Sequence, residues 1–510
     1  MRFRIPATLL LAMSALLSRL LGLVRDHLLA RTFGAGSGEA IYNLDAYYAA
    51  FRIPDLIYNL LIFGAISAAI IPIFTQYKKS GELKKAWEFA SNMLHLMLFV
   101  VLMLAGVVYV FAPQMANLVA AGFDAETFDL TVRLMRIMLL SPIIFTFSAI
   151  FISLQDSFKV FFWRSLAPLF YNLGIIFGIL YFAQDFGVVG VTWGVIIGAL
   201  MQLLVQLPAL HSIGYRHLWL FDRGRADVRE AFRLIVPRVL GLSLTQITLI
   251  INTLIASFLV TGSVTIFYFA DNLQAVPLGI IGISFAITSF ATLSELAMEK
   301  TPAAFVSEVR RVGQQVLFLI IPATLGMLFL RGRIIDVILV AGKFTEADAV
   351  ILQGVLAFLL FSLFAQSLIP LFSRGFYAYR NTKTPVLTAL AGALVSVGGS
   401  YLLAIPVGMG ILGIGVAYSA GNILNFVLLY RFMVKKCGTD IFDWLNVLKM
   451  LVSGAFMYGV LFLTGPYVQY GDRFVDRAGG LALLTLAGML SFFLVARLLK
   501  IPEMKMILRK

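Results

Sequence analysis

Long apolar stretches, separated by short polar and basic segments, run through the whole chain. About 20 apolar residues suffice to cross a bilayer as a helix, and on this basis we predict fourteen transmembrane helices. Their limits are 7–32, 44–75, 88–112, 132–155, 161–183, 187–210, 235–259, 264–294, 313–331, 352–373, 385–405, 409–430, 446–465 and 479–499. The second and eighth segments each contain a proline, Pro54 and Pro277, which predicts a kink in both. The pattern therefore predicts an all-α polytopic membrane protein.

The composition excludes a soluble protein. Of the 510 residues, 60% are hydrophobic and 13% are charged, and the mean hydropathy is +0.94. Soluble domains carry about 25% charged residues, so this chain could not cover its surface with polar groups in water. The basic start and apolar run of the N-terminus could pass for a signal peptide. Because the apolar pattern continues through Leu28–Ala30 without a small-residue cleavage motif, we expect a retained first helix.

Basic residues are sorted between alternate loops, and this sorting predicts the orientation. The net charge of +14 is concentrated in loops that all lie on one side if the N-terminus is cytoplasmic. The loops of the other side carry acids, among them Glu39, Asp124, Glu126 and Asp129. We therefore predict a multi-pass protein of the bacterial cytoplasmic (inner) membrane with both termini in the cytoplasm. The basic residues of the longest inside loop and its flanks are Arg216, Arg223, Arg225, Arg229, Arg233 and Arg238.

Two sequence blocks recur, which predicts an internal repeat. "LDAYYAAFRIP" at 44–54 resembles "FYFADNLQAVP" at 267–277, and "FKVFFWRSLAP" at 158–168 resembles "FYAYRNTKTP" at 376–385. Spans one to six then match spans seven to twelve in the same orientation. Such parallel repeats form two six-helix lobes related by a pseudo-twofold axis along the membrane normal, with the substrate path between them. We predict lobes at 1–210 and 235–434, a cytoplasmic or interfacial linker at 211–234, and two added helices with a tail at 435–510.

Charged residues inside predicted spans mark the candidate site. Each such charge costs at least ~2.5–3.5 kcal/mol on insertion scales, so it needs a partner or a polar cavity. Helical spacing allows local pairs between Arg19 and Asp26 and between Arg52 and Asp55. Arg25 has no carboxylate three or four residues away, so its partner is either Asp26 or a residue of another span. These residues belong to a set in spans one, two and eight that comprises Arg19, Arg25, Asp26, Asp45, Arg52, Asp55 and Asp271.

Two interpretations of these charges remain open. In the first interpretation, Asp26 and Asp55 form structural ion pairs that hold the first lobe together, which explains these two acids as well as a functional role does. In the first span the three arginines Arg19, Arg25 and Arg31 outnumber the one acid, Asp26. This excess favours a cavity that receives an anion, and the planar guanidinium suits phosphate oxygens. The corresponding segment of the second half, 245–259, is polar but uncharged, so the predicted cavity carries its cations in the first lobe. We find no P-loop and no metal-ligand spacing of His or Cys, and expect no enzyme, no metal site and no cofactor.

Several motifs resemble a known transporter family from end to end. They are "SRLLGLVRDHLLARTFGAG", "DAYYAAFRIPDL", "LTQITLIINTLIASFLVTGSVTIFYFADNL", "AGKFTEADA" and "FYAYRNTKTP". These stretches strongly resemble the MurJ/MviN lipid II flippases of the multidrug/oligosaccharidyl-lipid/polysaccharide (MOP) exporter superfamily. The resemblance implies alternating access by two lobes and a groove for the undecaprenyl tail at helices thirteen and fourteen. It also implies that lipid II, the undecaprenyl diphosphate-linked precursor of peptidoglycan, moves from the cytoplasmic to the periplasmic leaflet.

The resemblance further implies roles for individual residues. Arg19 and Arg25 match first-helix arginines and would meet the diphosphate together with Arg52. Asp45 matches a gate residue at the outer end of helix two. The remaining acids, Asp26, Asp55 and Asp271, are candidates for gating or ion coupling, since membrane potential or a monovalent ion is the expected energy source.

This chain departs from the family at two binding positions. Tyr58 and Asn272 stand where relatives commonly carry basic residues, so we expect Arg19 and Arg25 to carry more of the binding than usual. An ion-coupled exporter of another lipid-linked saccharide or amphiphile is therefore the alternative function. A scaffold that recruits cell-wall enzymes without transport is a third. We expect a monomer that contacts lipid II and membrane lipids and binds no nucleic acid.

Overall fold

The computed structural model consists of helices joined by short non-helical segments in the part of the chain that it describes. This part comprises residues 7–36, 39–59, 66–299, 302–468, 471 and 473–504, and it contains no strand. Contacts divide the chain into two compact units. The first unit is Met1–Thr265 with Gly342–Phe344, and the second is Ile266–Ala341 with Thr345–Lys510.

The first unit is built from ten helices in its described residues. Helix α1 packs along α8, and α2 packs on α6. The core of the unit lies between α3, α4 and α7, where large side chains such as Phe74, Phe89 and Leu154 are fully buried. The helices are α1 (Ala7–Phe33), α2 (Leu44–Ile57), α3 (Ser67–Lys79), α4 (Leu83–Val110), α5 (Ala112–Ala120), α6 (Ala125–Met138), α7 (Leu140–Ser157), α8 (Phe161–Leu204), α9 (Leu207–Ser212) and α10 (Ala226–Ser257).

The second unit is built from nine helices in its described residues. Its first helix ends at Pro277 and is followed by a π-helical turn, Leu278–Ile283. The helix is therefore irregular at the proline where the sequence predicts a kink. The last two helices pack on each other and on α13. The helices are α11 (Ser263–Pro277), which starts in the first unit, α12 (Ser284–Met298), α13 (Pro302–Ile338), α14 (Glu346–Phe361), α15 (Leu363–Ala378), α16 (Lys383–Ala404), α17 (Ile411–Cys437), α18 (Trp444–Thr464) and α19 (Phe474–Leu498).

Ten segments of the described chain are long and apolar enough to cross a membrane. The structure is therefore that of an all-helical, multi-span membrane protein. Helix α1 carries four charged residues and is not among the ten, and α10 contains a shorter apolar stretch, Leu244–Ser257. The ten segments are Leu83–Val110, Ala125–Ser157, Phe161–Ser212, Ser263–Met298, Pro302–Ile338, Glu346–Ala378, Lys383–Ala404, Ile411–Cys437, Trp444–Tyr467 and Phe474–Leu498.

One of these segments is long enough to cross twice. Phe161–Ser212 has 52 residues, which as a single helix would measure about 78 Å, more than twice the hydrocarbon thickness. Gly187 interrupts it with φ +56° and ψ −139°, a conformation that residues with a Cβ avoid. A Cβ at this glycine would also lie 2.2 Å from the carbonyl oxygen of Ile41. The chain therefore turns at Gly187, between the predicted fifth and sixth spans.

Glycines bring the two halves of α8 into backbone contact. A Cβ on Gly174 would lie 2.2 Å from the Cα of Gly198, and a Cβ on Gly178 would lie 2.5 Å from the Cα of Gly194. Small residues four apart permit this close approach in lipid, where van der Waals packing rather than the hydrophobic effect holds helices together. The first half of α8 is thereby fixed where it packs against α1.

Candidate functional site

Arg25 and Asp26 form a hydrogen-bonded ion pair on α1. The Arg25 Nε and Nη2 atoms donate to Asp26 Oδ1 at 3.0 and 2.9 Å. The Arg25 Nη1 atom donates to the Oδ1 of Asn172, on α8, at 3.3 Å. The Asp26 carboxylate is buried and the Arg25 side chain is 16% exposed. Of the two partners that the sequence allowed for Arg25, the structure contains both, the adjacent acid and a residue of another helix.

Asn172 is a site residue that sequence reasoning missed. Its Nδ2 atom donates to the Ser18 Oγ at 3.3 Å and to the Pro168 carbonyl at 3.1 Å, while its Oδ1 accepts from Arg25. The Asn172 side chain is buried. Because its NH₂ group is held by Ser18 and Pro168, its oxygen is fixed in position and orients the Arg25 guanidinium. A single buried amide between apolar residues of a predicted span was the only signal in the sequence.

Arg52 connects α2 to α10. Its Nε atom donates to the Thr253 Oγ1 at 2.9 Å, and this hydroxyl donates in turn to the Leu249 carbonyl of its own helix at 2.8 Å. Asp55, three residues further along α2, interacts electrostatically with Arg52. Arg52 therefore lies next to the polar, uncharged face that the sequence predicted on the seventh span.

Tyr58 is half-buried and packs on an aromatic ring. The ring centroids of Tyr58 and Phe145 lie 4.8 Å apart at an interplanar angle of 50°. This contact joins the end of α2 to α7, in the core of the first unit. At a position where the family resemblance implies a base, this chain thus has an aromatic side chain packed on the protein interior.

Asp45 of α2 caps the N-terminus of α11. Its Oδ2 accepts from the Gly262 N–H at 2.7 Å, and its Oδ1 accepts from the N–H and the hydroxyl of Thr265 at 2.8 and 2.6 Å. The carboxylate is buried. A helix N-terminus has unpaired N–H groups and a positive dipole end, so a carboxylate placed there satisfies both. The acid predicted as a gate residue therefore ties α2 to the first turn of α11.

Asp271 belongs to a chain of buried hydrogen bonds in the second unit. Gln274 Nε2 donates to Asp271 Oδ1 at 3.0 Å, and Gln366 Nε2 donates to Gln274 Oε1 at 3.3 Å. The Gln366 Nε2 also donates to the Ser362 Oγ at 2.9 Å, which contacts the Ser419 Oγ at 3.1 Å. Three helices, α11, α15 and α17, are thereby linked. Asn272 follows Asp271 on α11 and is half-exposed.

An apolar groove of about 400 Å³ lies in the second unit. Helices α13, α15, α17 and α18 contribute side chains to it, and its one polar lining side chain besides Trp444 is that of Thr324. The side chains that line it are Leu317, Ile321, Thr324, Leu325, Leu328, Phe361, Phe364, Leu368, Phe426, Phe442, Trp444, Val447 and Leu451. A groove of this composition accommodates a hydrocarbon chain.

The predicted site residues belong to both units. Those of α1 and α2 lie in the first unit, and Asp271 and Asn272 lie in the second. Over the described part of the chain, no three His, Cys, Asp or Glu side chains come together as metal ligands would. The residues on α1 and α2 include guanidinium groups, whose planar donors are chemically suited to phosphate oxygens.

Comparison with known proteins gives one consistent family. Residues 29–487 match the family model described as lipid II flippase MurJ. A probable lipid II flippase MurJ of Thermotoga maritima is 31% identical over 99% of both chains. A protein of Vibrio cholerae with the same description is 32% identical over 82% of this chain and 80% of the relative.

Solved structures share the fold. A lipid II flippase MurJ in an inward closed conformation superposes with a TM-score of 0.78 at 24% identity, covering 96% of this chain and 98% of that one. An inward-facing multidrug resistance transporter of the MATE family and MOP superfamily superposes with a TM-score of 0.68 at 14% identity, over 85% of this chain and 98% of that one.

Proposed function

The chain belongs to the MurJ family of lipid II flippases, and we propose that it carries lipid II from the cytoplasmic to the periplasmic leaflet by alternating access. The observation that carries this proposal is the family match over residues 29–487 together with an oriented arginine on α1. The protein acts as a transporter in the inner membrane and is not assigned a catalysed reaction.

The diphosphate of lipid II is bound by Arg19, Arg25 and Arg52. Asp26 balances one of these charges and Asp55 a second, so the arginines leave a net positive charge for the anion. Guanidinium–phosphate bonds are charge-assisted and strengthen where water is excluded. Asn172 and Thr253 orient two of the three guanidinium groups, so less side-chain freedom is lost when the diphosphate binds.

We assign the polar headgroup and the lipid tail to different parts of the chain. The apolar groove beside α18 takes the undecaprenyl tail, since it offers almost no polar atom to a ligand. Tyr58 and Asn272 border the substrate as uncharged positions. Lipid II remains the favoured substrate over another lipid-linked saccharide, because the curated relatives are described as its flippases.

The membrane architecture completes the proposal. Helix α1, the pair α2 and α3, and α10 cross the bilayer in addition to the ten apolar segments, of which Phe161–Ser212 crosses twice. This gives fourteen spans, with both termini in the cytoplasm. Spans one to six and seven to twelve form two lobes related by a pseudo-twofold axis, and α18 and α19 are the added pair. The repeated blocks at 44–54 and 267–277 support this arrangement. The monomer is the working unit.

Gating is assigned to Asp45. Three hydrogen bonds to a carboxylate hold α2 to the start of α11, and opening the outer end breaks them. Hydrogen bonds to charged groups contribute about 1.5–3 kcal/mol each, which is enough to favour one state and still be reversible. Membrane potential or a monovalent ion drives the cycle, with Asp26, Asp55 and Asp271 as candidates for coupling.

The proposal is tested by replacing a cell's own flippase. In a strain depleted of that flippase, this chain restores peptidoglycan synthesis and growth. Arg25→Ala abolishes rescue at an unchanged protein level, whereas Arg431→Ala, an exposed arginine on α17, retains it. Lipid II accumulates in the cytoplasmic leaflet wherever rescue fails.

Each outcome separates the candidate functions. Failure of the wild-type chain despite good membrane expression would argue for an exporter of another lipid-linked saccharide or amphiphile. Rescue that survives simultaneous neutralisation of Arg19, Arg25 and Arg52 would argue for a scaffold without transport through this site.

A further inference from the structure

A groove of about 720 Å³ lies between α4 and the start of α10, away from the residues described above. One wall is apolar and consists of Leu96, Phe99 and Val100 from α4 with Val228 and Phe232 from α10. The other side is basic and is formed by Arg223, Arg229 and Arg233. The groove therefore combines a hydrocarbon-like wall with three guanidinium groups.

The guanidinium groups of these three arginines have no carboxylate partner among the residues that the structure describes. Their side chains form no ion pair and no hydrogen bond there, and all three residues are exposed. The neighbouring Arg225 is different, because it bonds Asp227 at 2.9 Å and Glu88 at 3.2 Å. Glu88 and Asp227 are thus paired with Arg225. The exposed acids Asp222 and Glu230 are not among the residues that line the groove, whereas Arg223, Arg229 and Arg233 are.

Arg223 is held in place by the preceding segment. The Asn92 side chain of α4 donates to the Asp222 carbonyl at 2.7 Å and accepts from the Asp222 N–H at 2.8 Å. The His95 Nδ1 donates to the Leu220 carbonyl at 2.8 Å. The non-helical segment 215–222 is therefore held against α4 by hydrogen bonds, and this positions Arg223 at the edge of the groove.

The same segment exposes large aromatic side chains beside the groove. Trp219 is 88% exposed and stacks on the His95 ring at 5.2 Å. Phe221 is half-exposed and contacts the Phe99 ring, which lines the groove, at 5.6 Å. Exposed Trp and Phe next to arginines are typical of a surface that lies at the headgroup level of a membrane.

We propose that this groove binds an anionic phospholipid of the leaflet that adjoins it, with the phosphate on Arg223, Arg229 and Arg233 and an acyl chain on the wall of Leu96, Phe99 and Phe232. In the orientation proposed above this is the cytoplasmic leaflet. A free phosphate would leave the apolar wall uncovered, and a neutral lipid would leave the three guanidinium groups without a counter-charge. An anionic diacyl lipid satisfies both sides of the groove.

Lipid retention measured on the full chain tests this assignment. Protein purified in detergent is mixed with equal amounts of phosphatidylglycerol and phosphatidylcholine, and bound lipid is counted by native mass spectrometry. Wild type retains phosphatidylglycerol preferentially. Arg229→Gln with Arg233→Gln weakens this retention by roughly 30-fold, since each arginine contributes about fivefold to anionic lipid binding. Lys79→Gln with Lys84→Gln, two exposed lysines with the same change of charge, retains it.

Three results would overturn the proposal. They are equal retention of the two lipids by wild type, unchanged retention by the double arginine variant, and displacement of phosphatidylglycerol by millimolar inorganic phosphate alone. Displacement by undecaprenyl diphosphate that depends on Arg229 and Arg233 would assign the groove to the transport substrate instead. None of these readouts requires flipping, so a failure here is distinguishable from a failure of the transport proposal.

A measurement on the unaltered groove covers the case in which the double variant misfolds. Vesicles of brominated phosphatidylglycerol quench the fluorescence of Trp219, taken as the difference between wild type and Trp219→Phe. Brominated phosphatidylcholine at the same mole fraction quenches it less. Equal quenching by the two lipids would contradict a preference for the anionic headgroup.

Discussion

The Asp45 carboxylate accepts hydrogen bonds from both the backbone N–H and the hydroxyl of Thr265, which lies 220 residues further along the chain. A third bond comes from the Gly262 N–H. One side chain of α2 therefore supplies the cap that α11 does not have in its own sequence. This contact stabilises the structure and, under the proposed mechanism, must also break.

Asp45→Ala is expected to destabilise the protein and impair rescue. The substitution leaves the Gly262 and Thr265 N–H groups without their acceptor, at a cost of about 1–3 kcal/mol for each buried group. Asp45→Asn retains one acceptor oxygen but no charge, so its stability should lie between that of wild type and that of Asp45→Ala. Thermal unfolding of the purified chain in detergent measures this order.

Asp124→Ala is the matched control. Asp124 caps α6 by accepting from the Thr127 N–H at 3.0 Å within its own helix, and removing such a local cap costs about 1 kcal/mol. Its midpoint shift should be smaller than that of Asp45→Ala, and rescue should persist. Equal shifts for the two alanine variants would mean that Asp45 is only another helix cap.

Asn172→Asp tests whether the charge around Arg25 is tuned for an anion. The aspartate still accepts from Arg25 Nη1, but it adds a second negative charge beside this guanidinium. We expect lipid II affinity to fall about tenfold or more, since a like charge near a bound diphosphate costs over 1 kcal/mol at the effective dielectric of a protein. Native mass spectrometry with lipid II measures the affinity.

Asn117→Asp provides the reference for that variant, because Asn117 is exposed on α5. It makes the same change of charge away from the arginines and should leave lipid II affinity unchanged. If Asn172→Asp binds lipid II as wild type does, Arg25 does not meet the diphosphate.

The sequence predicted the helical, membrane-spanning character of the chain and a kink at Pro277, where the structure has a π-helical turn. Apolar runs and proline act within a few residues, so such local signals suffice. The partners of the charged residues could not be predicted in the same way. Asn172 lies 147 residues from Arg25, and Thr253 lies 201 residues from Arg52, so both contacts depend on how the helices pack.

The start of α10 could not be predicted from the charge pattern either. This helix begins at Ala226, within the segment 211–234 that the sequence predicts as a cytoplasmic or interfacial linker. Val228 and Ala231 are buried in the core of the first unit, and Asp227 is paired with Arg225. This burial depends on tertiary packing, which the charge pattern alone does not indicate.

Gly174→Ala should disrupt the hairpin of α8. The added Cβ would lie 2.2 Å from the Cα of Gly198, so one half of the hairpin must move. Overpacking of this kind costs about 1–3 kcal/mol, and here it also displaces the helix that carries Asn172. Gly106→Ala on α4 is the control, since nothing lies within 4 Å of its Cβ position. A lowered unfolding midpoint only for Gly174→Ala is expected, and equal midpoints would contradict the backbone contact.

Acid should selectively weaken the junction at the start of α10. Burial raises the pKa of Asp227. Hydrogen bonds from Arg225, Tyr77 and the Val228 N–H, together with the positive charge of Arg225, lower this pKa by more than burial raises it. The pKa therefore lies below its ordinary value of 3.8. A depressed folded-state pKa stabilises the protein above the unfolded pKa, and this contribution is lost as the pH falls through the folded pKa.

The corresponding measurement compares wild type with Asp227→Asn between pH 7 and pH 3. Wild type should have the higher unfolding midpoint at pH 7, and the difference should shrink below about pH 4 as Asp227 becomes protonated. Glu126→Gln, which alters an exposed acid at the start of α6, should follow wild type over the whole range. A difference that stays constant down to pH 3 would remove the ion pair as its cause.

The last prediction concerns the hydrogen-bonded chain that reaches Asp271. Gln366→Leu removes the amide that donates to both Gln274 Oε1 and Ser362 Oγ, and it breaks the link from α15 through Gln274 to Asp271. Interhelical hydrogen bonds in membrane proteins contribute about 0.6–2 kcal/mol each, so the variant should fold with a modestly lowered unfolding midpoint. Rescue should fall more than stability does, because Gln274 then loses the partner that orients it towards Asp271. Asn422→Leu on α17 separates the two effects, since its amide donates only to the Tyr418 carbonyl of its own helix at 2.9 Å. If both leucine variants rescue equally well at equal protein levels, the network holds the helices together and has no part in transport.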